Sequence, residues 1–534
     1  MLASFFLFFR WFWLMARCLQ FFSAVMAFLT VGSLAADDFR VHPYIQNPSS
    51  TSMTIQWFSH SLSSGIVEVS CEDAASSPTS VIQRESSPEL ANTLAYNPFQ
   101  EEPGGPHPSL PFRHTIVLDD LKPLTKYRYR VTQGSDTVEG SFRTAGDLNT
   151  PIRLLVYSDS ETEPESTTSP PVAWPVTAAS NRPAGVVNYL ANQTDGYLQN
   201  CRLMQSRSPD LLLITGDLVE CGGEQRDWDE FWKHNAGEFG QIASSVPILP
   251  AIGNHENYAG PGGGYTTPAA NFSTAKYLTY FRVPNNAAKD PNHHGRYYRI
   301  DYGPITLITL DSSDGLPHKT ASDTNHNMEG SFAPDFNPGS EQYQWLEKQL
   351  AEGQKTSRFT FVQFHHTMFG SGPHSVPFGH EKFSGQAGIP MRVLLPLFMK
   401  YGVDVVFSGH DEMLERSEVV GMEQTPDAKS RPHQIHFYDV GMGGDGLRGP
   451  SEGFDNPYCK FLAHRDALEV WKDGKLISGG KHYGHLEVNI GPDSIGKWTV
   501  NIEPVHVFPV TGDDGKIVSW ERRVYNDIIK ITQP

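Results

Sequence analysis

The chain has 534 residues, too many for one ordinary hydrophobic core, so two or three domains are expected. A formal net charge of -18 with no basic patch argues against nucleic-acid binding. Charged residues make up only 19%, beside 47 glycines and 39 prolines, which fits a loop-rich β or α/β chain rather than a helical bundle or a disordered one.

Residues 1–36 stand apart. Arg10 and Arg17, the apolar run 21–34 and the small residues Ser33, Ala35 and Ala36 before Asp37 have the layout of a secretory signal with an A-x-A-like cleavage site. Met15 offers a second start that would give a signal of ordinary length. Residues 18–34 approach the length of a membrane span, so an uncleaved anchor is the alternative. Either way the protein is expected to be secreted, periplasmic or at the cell surface, touching membrane only if the segment stays attached. Beyond the signal remain Cys71, Cys201, Cys221 and Cys459. Cys201 and Cys221 flank the same apolar run and are the pair expected to bridge if any does, with free buried thiols the alternative.

Residues 37–148 read as an all-β module. Residues 51–58 alternate around Trp57, and further strands are expected near 114–118, 126–131 and 140–145. The order strand, Leu121-x-Pro-x-Thr-x-Tyr127, strand resembles the tyrosine corner of fibronectin type III sandwiches. No ligand-spaced acids, histidines or cysteines occur there, so its expected role is a scaffold or lid for the next domain.

From residue 149 to 534 apolar strands alternate with longer segments, the mark of an α/β layer structure. A strand at 153–158 ends at Asp159, and a Pro-, Thr- and Ser-rich insertion fills 162–195. A helix at 196–206 precedes the apolar run 211–215, which ends in Gly216-Asp217. After a helix at 228–239, residues 246–252 lead into Gly253-Asn254-His255-Glu256. A hairpin is expected at 297–311, a helix at 341–352, a strand from 358 ending in His365-His366, a helix at 391–401, and a strand from 403 ending in Gly409-His410. Later β segments at 434–440, 485–488, 498–502 and 517–521 are expected to complete a second sheet.

Each chemical residue alone has a bland reading: Asp159 a helix cap, Asn254 a turn residue, His365 a satisfied core histidine. Five apolar runs that each end in such a residue are harder to dismiss. Open α/β sheets bind ligands at the carboxyl ends of their strands. Acid, amide and imidazole gathered there match the dispersed ligands of a dinuclear metal site, where two cations share a carboxylate and activate water.

The order Asp-x-x, Gly-Asp, Gly-Asn-His-Glu, Val-x-x-His, Gly-His is similar to that of the calcineurin-like metallophosphoesterases. With the amino-terminal sandwich, the chain resembles purple acid phosphatases over residues 40–505. That resemblance implies a four-layer α-β-β-α catalytic domain behind a fibronectin III-like sandwich. It implies two divalent or trivalent metal ions, drawn from Fe, Mn, Zn, Mg and Ca. Asp217 would bridge them, with Asp159 on the first and Asn254, His365 and His410 on the second. His255 and His374 would face the substrate phosphate as catalytic groups; His366 is given no ligand role.

The chain departs from the purple enzymes at two first-metal positions. Glu220 stands where they carry tyrosine, and Glu412 where they carry the second histidine of Gly-His-x-His. Glu161 occupies the place of the histidine in the wider superfamily's Asp-x-His. The first site would thus draw on Asp159, Asp217, Glu412 and either Glu161 or Glu220, hard oxygen ligands suited to Mg²⁺, Ca²⁺, Mn²⁺ or Fe. Without a phenolate the purple colour is not expected. The resulting expectation is an exported phosphoric-ester hydrolase, in first place a phosphomonoesterase acting on a phosphorylated small molecule or ester. A phosphodiesterase on the same core, or a non-catalytic surface-binding protein with a degenerate first site, are the alternatives.

Overall fold

The computed structural model describes residues 38–72, 81–96, 108–165, 196–325, 328–375, 386–444, 447–453, 455–463 and 469–533. The expected signal or anchor lies outside these residues, as does most of the 162–195 insertion. Among the described residues no helix is long and apolar enough to cross a membrane. Residues Phe39–Pro534 form one compact unit.

At the amino-terminal end two four-stranded antiparallel sheets face each other. One runs Phe39–Gln46, Met53–Ser59, Phe112–Leu118, Glu89–Leu90; the other Ile82–Glu85, Ile66–Cys71, Lys126–Gln133, Asp136–Arg143. The two-residue period of Lys126–Gln133 turns Tyr127, Tyr129 and Val131 inward, against Ile55 and Trp57. Burying an indole N–H requires a partner, and Trp57 donates to Gln133 Oε1 at 3.0 Å while its ring stacks on His114. The Tyr127 hydroxyl accepts the Lys122 N–H at 2.9 Å. Other contacts tie these sheets to the rest of the chain. Tyr129 donates to the Ser244 carbonyl at 2.7 Å, Tyr44 donates to the Tyr280 carbonyl at 2.8 Å, and Arg40 grips both oxygens of Asp229.

The remainder is a four-layer α-β-β-α sandwich. The first seven-stranded sheet runs Ile248–Pro250, Leu211–Ile214, Ile152–Tyr157, Gly484–Pro492, Trp498–Thr511, Ile517–Val524, with Ile529–Thr532 also on Trp498–Thr511. The second runs Tyr298–Tyr302, Ile305–Thr309, Phe359–His366, Val405–Gly409, Ser430–Val440, Leu414–Gln424, Cys459–Leu462. Between them lie Leu154, Val156, Leu211, Leu213, Leu307, Phe361, Val405 and Phe407. The alternate residues Leu155, Leu212 and Ile214 face Tyr197–Ser206, Gln225–Ala236 and Thr267–Tyr280 on one side. Val362, Phe364 and Val406 face Glu341–Thr356 and Leu395–Lys400 on the other. Strands buried on both faces are continuous apolar runs for this reason.

The late β segments do not all complete one second sheet, the expected arrangement, but divide between the two. Ser430–Val440 joins the second sheet parallel to Val405–Gly409, whereas Gly484–Pro492 pairs antiparallel with Ile152–Tyr157 in the first. Both sheets are therefore finished by chain from the carboxy-terminal third. Cys201 and Cys221 are buried and not joined by a disulfide, and neither Cys71 nor Cys459 forms one among the described residues.

Candidate metal centre

The strand Leu211–Ile214 is buried throughout and lies parallel between Ile152–Tyr157 and Ile248–Pro250. Chain leaving its carboxyl end must turn sharply beneath His365. Gly216 does so at φ +108°, where a Cβ would stand 2.5 Å from His365 Nδ1, so no side chain fits. Asp217 follows at φ 50°, and Asp159, Glu161, His410 and Glu412 also have positive φ, between 37° and 83°. Non-glycine residues hold that conformation at a cost of about 1–3 kcal/mol each and only when their surroundings fix them.

Glu256 is one such fixture. Its buried carboxylate accepts the Asp217 and Gly253 N–H groups on Oε2 at 3.0 and 2.8 Å, and the Leu218 N–H on Oε1 at 2.8 Å. It thus staples the Asp217 turn to the Gly253-Asn254-His255 turn. Asp159 is held from the other sheet, since the His410 N–H reaches its carboxylate at 3.0 Å.

Two groups of ligand atoms, each within 4.8 Å of one another, result: Asp217, His365 and His410, and Asp159, Glu161 and Asp217. All five residues are buried, and Asp217 belongs to both groups. Asn254 joins the first group, its Oδ1 lying 2.8 Å from His365 Nε2. A third group, Glu161, Glu220 and His255, adjoins the second through Glu161. The structure therefore gathers Asp159, Glu161, Asp217, Asn254, His365 and His410, and sets Glu220 beside Glu161.

The donor chemistry of the first group asks for a cation. His365 Nδ1 lies 3.0 Å from the Thr215 carbonyl and must carry the proton of that bond. Its Nε2 then faces Asp217 Oδ2 at 2.8 Å, Asn254 Oδ1 at 2.8 Å and His410 Nδ1 at 3.2 Å. His410 Nε2 is spent on the Gln386 carbonyl, which leaves Nδ1 its lone pair. One proton on His365 Nε2 cannot serve three acceptors, whereas a metal ion would be ligated by all four. Burial would lower the His365 pKa, but Asp217 outweighs it and raises it to about 9, so the imidazolium is the proton-borne substitute for that charge. In the second group, burial, reinforced by the Asp217 charge and only partly offset by His365, pushes the Asp159 carboxyl up to about 7. Three buried carboxylates at this spacing fit hard cations such as Mg²⁺, Ca²⁺ or Mn²⁺, and the mixed Asn/His/Asp set fits Zn²⁺, Mn²⁺ or Fe²⁺.

His255 holds Asp217 from outside the two groups that share it. Its backbone N–H donates to Asp217 Oδ1 at 2.9 Å and its Nδ1–H to the Glu220 carbonyl at 2.6 Å. Burial opposes its charge, yet Asp217 and Glu220 raise its pKa to about 9. Tyr258 and Tyr265 continue this wall, and the Tyr265 hydroxyl accepts from Asn254 Nδ2 at 3.2 Å. His374 lies against His410 with ring centres 4.1 Å apart and planes tilted by 31°, and burial and then Arg448 lower its pKa to about 4. Its segment is pinned by Asp411, which accepts the His374 N–H at 2.7 Å. His366 bonds to Ser312 Oγ through Nδ1 at 2.9 Å and belongs to neither ligand group.

Glu412 behaves differently from the expected ligand. Among the described residues it is absent from the groups of ligand atoms, and its Oε2 lies 2.6 Å from Arg448 Nε. Arg448 carries no motif signal. Asp411 and Tyr265 were equally silent, and Glu256, which closes the Gly253-Asn254-His255-Glu256 motif, is given no role of its own by the sequence.

Residues 190–411 match the calcineurin-like phosphoesterase family, and residues 39–144 the purple acid phosphatase N-terminal domain. An uncharacterised protein of Mycobacterium tuberculosis is 27% identical over 317 residues, 56% of this chain and 50% of its own. A purple acid phosphatase of Glycine max is 25% identical over 371 residues, covering 67% and 65%. A probable inactive purple acid phosphatase of Arabidopsis thaliana is 26% identical over 398 residues, covering 70% and 57%. The chain thus spans about half the length of the mycobacterial relative and less than two thirds of the plant ones. Two solved structures share the fold. A purple acid phosphatase from yellow lupin seeds has a TM-score of 0.57 at 18% identity, covering 90% of this chain and 74% of its own. PhoD has a TM-score of 0.59 at 12% identity, covering 93% and 90%. The chain therefore carries a calcineurin-like phosphoesterase domain behind a purple acid phosphatase N-terminal domain, and is similar to purple acid phosphatases.

Proposed function

We propose that the chain is an exported phosphomonoesterase working at a dinuclear metal centre. The observation that supports this best is Asp217, whose carboxylate is common to an all-oxygen group and a mixed Asn/His group. Cations held there would neutralise phosphoryl oxygens and provide a nucleophile at neutral pH. The chain's own residues do the rest. His255 donates its backbone N–H to Asp217 Oδ1 and its Nδ1–H to the Glu220 carbonyl, which leaves Nε2 to serve the leaving alkoxide or a phosphoryl oxygen. Neutral His374 covers His410 and limits water at that ligand.

Export rests on the layout of residues 1–36; amino-terminal sequencing of protein recovered outside the cell should begin near Asp37. Hydrolysis is tested by turnover of p-nitrophenyl phosphate and its bis ester after reconstitution with Mn, Mg, Ca, Zn or Fe. Monoester turnover that is lost in Asp217→Asn supports the reading, and turnover that survives the change contradicts it. The rival is a binding protein whose first site is degenerate. What favours it is Glu412, which faces Arg448 instead of the carboxylate group. Fewer than two metal equivalents with no turnover would select it.

A further inference from the structure

Glu412 is one of the two positions where this chain departs from the pattern of the purple enzymes, and this departure has a structural partner. Arg448 Nε lies 2.6 Å from Glu412 Oε2, and Arg448 Nη1 donates to His374 Nε2 at 3.2 Å. The backbones are joined too, since the Arg448 N–H reaches the Glu412 carbonyl at 2.9 Å. Gly441 lies so close to the Glu412 backbone that a Cβ there would stand 2.6 Å from its nitrogen. The Glu412 side chain is 4% exposed and that of Arg448 44%. A buried carboxylate thus holds a guanidinium whose outer part meets solvent, beside the histidine whose ring lies against that of His410. An anionic ester approaching a chain of formal charge -18 meets an unfavourable field, so a fixed local cation has a large effect on its capture.

We propose that Arg448 binds the terminal phosphoryl group of a phosphate monoester, and that Glu412 is its positioning residue rather than a metal ligand. This rests on the phosphatase reading and deepens it. A guanidinium offers planar paired donors to phosphate oxygens, and a dianionic monoester gains more from it than a monoanionic diester. Glu412, held at φ 49°, fixes the guanidinium before substrate arrives, so little side-chain entropy is lost on binding.

The test uses the metal-loaded full chain with inorganic phosphate as calorimetric probe and the two nitrophenyl esters as substrates. Arg448→Ala should weaken phosphate binding about 10- to 100-fold, the range for a charge-assisted bond. It should lower monoester kcat/KM by a similar factor, chiefly through KM, and diester kcat/KM less. Arg448→Lys should restore part of the loss, and Glu412→Gln should weaken phosphate binding while both metal equivalents remain. Loss of one metal equivalent in Glu412→Gln would overturn the positioning role. Unchanged phosphate affinity and KM in Arg448→Ala, or equal losses for monoester and diester, would overturn the phosphate role while wild-type turnover leaves the phosphatase reading standing. A wild type that neither binds phosphate nor hydrolyses either ester would overturn both.

Discussion

Glu256→Gln is the sharpest probe of how the centre is held. Three backbone N–H groups, of Asp217, Leu218 and Gly253, point at two carboxylate oxygens in a fully buried position. Glutamine has the same shape but only one oxygen. With that oxygen on the Asp217 and Gly253 groups, its NH₂ faces the Leu218 N–H; in the other orientation two groups lose their acceptor. One buried orphan donor costs about 1–3 kcal/mol, and the remaining bonds lose their charge assistance. We therefore expect about 2–4 kcal/mol lower stability in the metal-free protein by denaturant unfolding. The released turn also lets Asp217 leave φ 50°, so metal affinity should fall about 10- to 100-fold in a chelator-competition titration. Stability within about 0.5 kcal/mol of wild type, together with undiminished metal affinity, would refute the staple.

His255→Ala should keep both metals, because its imidazole is in neither Asp217 ligand group, yet lower kcat by about 10²–10⁴-fold; loss of a metal equivalent would make it a ligand instead. In the amino-terminal sandwich, burial holds the His114 pKa down at about 4, between Ser59 and Ser86. The unfolded chain binds that proton more readily, so this part of the stability is complete above about pH 6.5 and drains away as pH falls toward 4. The shift corresponds to about 3 kcal/mol. Imidazole resonances of His114 should stay neutral down to about pH 4, and a midpoint near 6.5 would refute the assignment.

Strand ends were legible because a strand buried on both faces has to be apolar, so the first polar residue after it stands out. That is how Asp159, Asp217, Asn254, His365 and His410 could be read, and the structure brings these to one rim. The helix Thr267–Tyr280 was not legible, since it buries Lys276, Ser273 and Thr274 and shows no apolar stripe. Lys276 resides there because it donates to the Ala95 carbonyl and Gln225 Oε1, long-range partners that no local pattern shows. Arg448 was invisible for the same reason: only the approach of its loop to Glu412 gives it a role. The late strands were expected to complete a single second sheet, yet they are divided between two. Pairing partners, not periodicity, divide them between two sheets.

The central claim is that one carboxylate serves two metals. Titrating the metal-free chain with Mn²⁺ and recording electron paramagnetic resonance tests it most directly. The account predicts uptake of two equivalents and an exchange-coupled spectrum that disappears in Asp217→Asn. Two uncoupled ions, a single equivalent, or coupling that persists in the variant would contradict it.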